Sequence, residues 1–135
     1  MIHIRCIIEI AGFPKEHIEK TMNDIIEMLK KEENFQFIKA DVEEVKENNK
    51  MFSTFAEVEL KLNNLSGLIH LSYHYMPSSI EILAPDEFET KMGEMNDFFN
   101  DLIERIHRND MAMKNLFAEN HLLKKRLSGA SNAKQ

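Results

Sequence analysis

Between Met92 and Leu127 the apolar residues recur at alternating steps of three and four, without a slip, for five heptads. With Met92 as position a, the a positions are Met92, Phe99, Ile106, Met113, Asn120 and Leu127, and the d positions are Met95, Leu102, Asn109, Leu116 and Leu123. A 3.5-residue period keeps one seam of a helix turned toward a partner helix, which is the requirement of a left-handed coiled coil. The stretch therefore predicts a long helix over 86–127 and, because long solitary helices need support, a second helix against it.

The flanking charges favour a parallel pair of identical chains. In that arrangement each g position faces the e position five residues later on the other chain, so Arg105 meets Asp110 and Glu119 meets Lys124. Both pairs are opposite in sign. The remaining g-to-e pairs, Phe98 with Ile103 and Ala112 with Phe117, are apolar and widen the seam. An antiparallel pair gives these charges no fixed complement. Asn120, between Leu116 and Leu123, can hydrogen-bond its own copy only when the chains are in register, a device that trades stability for dimer specificity. Asn109 at d has no such explanation and marks a weak point. The competing arrangement is a single helix that folds back on its own domain through Phe98, Ile103 and Phe117.

The remaining residues, 1–85, are enough for one small core, in the size range where oligomerisation often helps. Of the 135 residues, 17 are Lys or Arg and 23 are Asp or Glu, a net charge of −6. Nonspecific attraction to nucleic acid or anionic membrane is thereby disfavoured, the one basic cluster being Lys124, Lys125 and Arg126. Cys6 stands alone, so no intrachain disulfide can form, and a reducing, cytoplasmic setting is expected. Neither a signal peptide nor a membrane span is expected, since no apolar run approaches about 18 residues. Ser128 to Gln135 reads as a disordered tail.

Along residues 1–85, Ile4, Cys6, Ile8 and Ile10 alternate with His3, Arg5 and Glu9, which predicts a strand with one buried face, and Ile7 on the other face suggests a central position. After Gly12 and Pro14, Ile18, Met22, Ile25 and Leu29 fall at helical spacing. A second strand is expected over 35–45, where the apolar register moves from Phe35 and Phe37 to Ile38, Ala40 and Val42, a shift that a bulge absorbs. Asn48 and Asn49 supply a turn into the clearest strand, with Phe52, Thr54, Ala56, Val58, Leu60 and Leu62 on one face and Ser53, Phe55, Glu57, Glu59 and Lys61 on the other. Asn63 or Asn64 caps a short helix with the stripe Leu65, Leu68, Ile69, Ser72 and Met76. Pro77 ends it, and Ser79 to Leu83 forms a last strand with Ile80 and Ile82 inward.

The order strand, helix, strand, strand, helix, strand over residues 2–84 resembles the ferredoxin-like superfold, which implies an α+β domain with a four-stranded antiparallel sheet and two helices on one face. That superfold serves many functions and licenses no activity. Lys50 to Phe55 looks loosely like the third strand of the RNA-recognition motif, yet Phe52 and Phe55 are three apart and point to opposite faces, where that motif needs them two apart. The open face also carries Glu9, Glu57, Glu59 and Glu81, which repel phosphate. These carboxylates are expected to be solvated and shared with Arg5, Lys39 and Lys61. Leu116, Asn120, Leu123 and Leu127 are spaced like a leucine zipper, but Glu94, Asp97, Asp101 and Glu104 stand where a basic region would have to be.

His70 and His74, four apart on the short helix, stand on one face within reach of one metal ion. Leu71 follows the first where a zincin protease has glutamate, and two ligands make no site, so a surface pair with no metal or other cofactor is expected. No phosphate loop and no activated nucleophile are recognisable. The chain thus reads as a non-enzymatic assembly module, a homodimer through its C-terminal coil that presents two heads to a protein partner, with neither nucleic acid nor membrane involved. The alternative is a small-molecule sensor resembling the ACT regulatory domains, which share this element order; the turn Gly12, Phe13, Pro14 lies where such domains often contact ligands.

Overall fold

The computed structural model describes residues 1–133 and divides the chain into two units, Met1–Thr90 and the residues from Lys91 on. The first unit is built on strands β1 (Ile2–Gly12), β2 (Phe35–Val42), β3 (Lys46–Asn48), β4 (Met51–Leu62) and β5 (Ser79–Ala84) with helices α1 (Lys15–Lys31) and α2 (Leu65–His74). The sheet order is β2-β4-β1-β5, with β3 pairing β4, and every pairing is antiparallel. The four principal strands and two helices thus follow the ferredoxin-like arrangement.

The two long central strands carry the core because both alternate strictly. Ile2, Ile4, Cys6 and Ile8 of β1 are buried against Leu62, Leu60, Val58 and Ala56 of β4, their cross-strand partners. Over this floor α1 lays Ile18, Met22, Ile26 and Leu29, all buried, with Ile25 at the edge. Apolar side chains at three- and four-residue steps give α1 one inward stripe, and Lys30 and Lys31 sit favourably at its negative end.

Several expectations acquire detail here. The register shift in β2 is a bulge at Ile38, between the pairs Phe37 with Leu60 and Lys39 with Glu59. The strand expected over 35–45 ends at Val42, and Lys46–Asn48 forms the separate β3, turned into β4 by Asn49 and Lys50. Both turn residues have φ in the left-handed region, 50° and 69°, as a two-residue hairpin turn requires. Asn64 caps α2 by accepting from the Gly67 N–H at 3.1 Å.

The inward face of α2 differs from the expected stripe. Ile69 and Leu71 are buried and Gly67 lies over Leu62, where an added Cβ would come within 3.3 Å. Ser72 is exposed and donates to the Leu68 carbonyl, and Met76, past the end of the helix at φ 45°, is also exposed. Ile80 and Ile82 share the faces of their partners Cys6 and Ile4, yet both remain open, Ile82 at 55%. Edge strand β5 is simply under-covered by helix. Residues 86–90 belong with the sheet: Phe88 lines a cleft with Ile2, Leu65, Leu68, Ile82, Pro85 and Asp86.

The second unit is α3 (Met92–Ala133), 42 residues in one unbroken helix. At about 1.5 Å per residue it is about 63 Å long. Over Ser128–Ala133 it continues where a disordered tail was expected: no proline interrupts the segment, and it extends the helix already formed through Leu127. The expected tail's last two residues, Lys134 and Gln135, lie outside the described residues. No helix among the described residues is long and apolar enough to cross a membrane.

Candidate interaction surfaces

The seam predicted from the heptads falls wholly on α3. Met92, Phe99, Ile106, Met113, Leu116, Leu123 and Leu127 are exposed, Leu116 at 65% and Leu127 at 68%, while Met95 and Leu102 are partly covered. Asn109 and Asn120 are exposed on the same seam. Ile103 and Phe117, at e positions, add exposed apolar surface beside it. An apolar stripe of this length in water is costly, on the order of 25 cal/mol for each Å² left wet.

The charged flanks hold partners within their own helix. Arg105 Nε reaches Asp101 Oδ1 at 3.2 Å, and Lys114 Nζ reaches Asp110 Oδ2 at 2.7 Å. Arg108 pairs with Glu104 in the same way. In each pair the acid precedes the base by four residues, the orientation that stabilises an isolated helix by about 0.2–0.5 kcal/mol. Arg105 and Asp110, expected to meet across two chains, are thus already engaged along one. Glu119 and Lys124 remain exposed.

The open face of the sheet is a network centred on Glu59. Antiparallel register sets Arg5 of β1 between Glu59 of β4 and Glu81 of β5, and Lys39 of β2 opposite Glu59. Arg5 reaches Glu57 at 3.3 Å and both Glu59 and Glu81 at 3.4 Å. Lys39 Nζ lies 3.4 Å and His3 Nε2 3.2 Å from the Glu59 carboxylate. Desolvation alone pushes the Glu59 carboxyl up, but the hydrogen bonds from His3, Lys39 and Arg5 outweigh it and hold the group below its ordinary range. With its side chain 11% exposed against 65% for Glu81, Glu59 is the least screened member of the network. Glu9 stands apart from these pairs, opposite Phe55. Phe52, on the other face, stacks on Phe13 with ring centroids 6.3 Å apart.

His70 and His74 lie on one face of α2, their ring centroids 4.3 Å apart. His70 Nε2 is 3.4 Å from Glu32 Oε2, the residue that ends α1, and Tyr75 Oη donates to the same oxygen at 2.9 Å. Burial raises the Glu32 carboxyl, and the Tyr75 hydrogen bond, the neighbouring His70 imidazole and the Asn34 amide together outweigh this, holding it below its ordinary range. Burial and that same carboxylate push the Tyr75 phenol up to about 12. The cluster therefore clips the two helix ends together. Among the described residues no group of three or more His, Cys, Asp or Glu side chains comes together to hold a metal ion.

A family model matches residues 3–126, taking in the sheet from His3 on and α3 as far as Arg126. The chain belongs to the MJ0538 family. Within it the chain is similar to the uncharacterized protein MJ0538 of Methanocaldococcus jannaschii, 28% identical over 99 residues, which are 72% of this chain and 37% of that protein. The chain thus spans well under half the length of this relative. No solved structure matches. The family match extends across both units, so the sheet and most of the long helix belong together as family features.

Proposed function

We propose that this chain is a non-enzymatic assembly module that dimerises through a parallel coiled coil of α3 and presents two ferredoxin-like heads to a protein partner. The observation that carries this reading is the 42-residue helix whose heptad seam from Met92 to Leu127 is exposed at every position but Met95 and Leu102. A second helix in register covers that seam, and the Glu119 to Lys124 pairs complete its flank. Cys6, the only cysteine and buried in β1, suits a reducing cytoplasm.

The test is the molar mass of the full chain by sedimentation equilibrium. The wild type is expected as a dimer, and Leu116→Ser combined with Leu123→Ser as a monomer with an intact sheet domain. A monomeric wild type at high concentration would refute the reading.

A second reading, the ACT-like sensor, draws on one cleft. It has a volume of about 420 Å³ and is lined by Glu9, Ile10, Ala11, Glu44, Lys46, Ser53, Thr54 and Phe55, bordering the Gly12, Phe13, Pro14 turn. That is within the size range of small-molecule sites. A ligand that binds only the folded chain raises its melting temperature, so a thermal-shift screen of amino acids, nucleotides and divalent cations decides between the two readings.

A further inference from the structure

The edge of the sheet formed by β2 carries a second kind of complementarity. In an antiparallel ladder, residues bonded to the neighbouring strand alternate with residues whose N–H and C=O point the other way. The Glu43 N–H donates to the Phe55 carbonyl at 2.9 Å, continuing the β2-β4 register that pairs Val42 with Ala56 and Ala40 with Val58. Counting back in steps of two, Asp41 and Lys39 bond to β4. The N–H and C=O groups of Ala40 and Val42 therefore point outward, along an edge that no other strand among the described residues covers.

We infer that the β2 edge pairs with β2 of a second copy, antiparallel about Ala40, joining two sheets into one. With Ala40 on the two-fold axis, its N–H and C=O exchange two bonds with the other Ala40. Lys39 then stands opposite Asp41 of the second copy, and Asp41 opposite its Lys39. These fall at the non-hydrogen-bonded positions, where side chains approach most closely, so Lys39, which already lies 3.8 Å from its own Asp41, meets the Asp41 of the second copy as well. Val42, 49% exposed, comes near Ile38, 40% exposed, where the bulge ends the regular part of the contact. Few registers give this result: moving the strands by two residues sets Lys39 against Lys39 or Asp41 against Asp41. A two-fold contact of this kind is self-complementary by construction. The pairing is independent of the coil, although chains joined in parallel through α3 would raise the local concentration of one edge near the other.

Disulfide trapping in the full chain tests it. Two residues at a hydrogen-bonded antiparallel pair lie about 5.5 Å apart between Cα atoms, inside the range a disulfide spans. Ala40→Cys is expected to form a disulfide-linked dimer under a glutathione redox buffer at least ten times faster than Lys20→Cys, an exposed control on α1. Adding Asp41→Lys to Ala40→Cys sets lysine against lysine twice and should return the rate to the control value. Far-ultraviolet circular dichroism verifies that each variant is folded. Ala40→Cys linking no faster than the control, or linking undiminished with Asp41→Lys, would overturn the inference. The coil is read separately in the Asp41→Lys background, where edge pairing is removed: there an intact α3 should give a dimer and Leu116→Ser with Leu123→Ser a monomer, so the two readings fail by different measurements.

Discussion

The sheet domain and the long helix spend similar apolar side chains in opposite ways. In the sheet, Ile4, Cys6, Leu29, Val58, Leu60, Leu62 and Leu71 are completely buried by the chain's own folding. Along α3, Met92, Leu116 and Leu127 remain more than half exposed. The difference lies in period. Strand alternation and an amphipathic helix close on each other within one chain, whereas a 3.5-residue seam on a straight helix matches another seam of the same kind. One region completes its core alone, and the other leaves most of its apolar seam exposed.

The sharpest way to break the contrast is inside the sheet. Leu60→Ala removes a fully buried side chain near the C-terminal end of β4, where it faces Ile4 of β1, and a cavity there should lower the unfolding free energy by about 3 kcal/mol, read from urea or guanidinium denaturation. The same substitution at Leu116 should leave the midpoint of the sheet domain where it was.

A smaller effect is expected from Asn120→Ile. If the seam meets its copy in register, the change should raise the melting temperature of α3 at fixed concentration while loosening its stoichiometry, since the amide no longer penalises other registers. Light scattering showing a dimer that drifts toward trimers or mixtures is the expected outcome, and an unchanged mass would count against a paired Asn120.

The smallest is electrostatic and belongs to the sheet alone. Because its folded-state pKa is lowered, Glu59 contributes stability that is present above the ordinary carboxylate range, about pH 4.3, and is lost as pH falls through the lowered value. Glu59→Gln should flatten the acid side of the melting-temperature profile, and more so than Glu81→Gln, whose carboxylate is mostly in water.

Much of this was legible in the residues. The alternation in β1 and β4, the stripe of α1, the Asn64 cap and the β2 bulge are all local patterns, and local patterns survive folding when tertiary contacts agree with them. What escaped depends on register or coverage. Sharing of the acidic face could be foreseen, but not that Glu59 is its hub, because only strand register brings Arg5, Lys39 and His3 to one carboxylate. Alternation placed Ile82 correctly by face and wrongly by burial, since facing the helix layer is not the same as lying under a helix. The pairs Asp101 with Arg105 and Asp110 with Lys114 are readable as acid-then-base four residues apart, a local pattern that competes with the g-to-e pairing of the same residues between chains.

Cys6 gives the molecule a clock. It lies in a central strand, fully buried, and burial pushes its thiol up to about 11, so a thiol reagent in neutral solution finds almost no thiolate and no route to it. Labelling must wait for the sheet to part, and its rate counts those openings. As the one cysteine in the chain, it provides that count without any engineered probe, separately from whatever α3 is doing at the time.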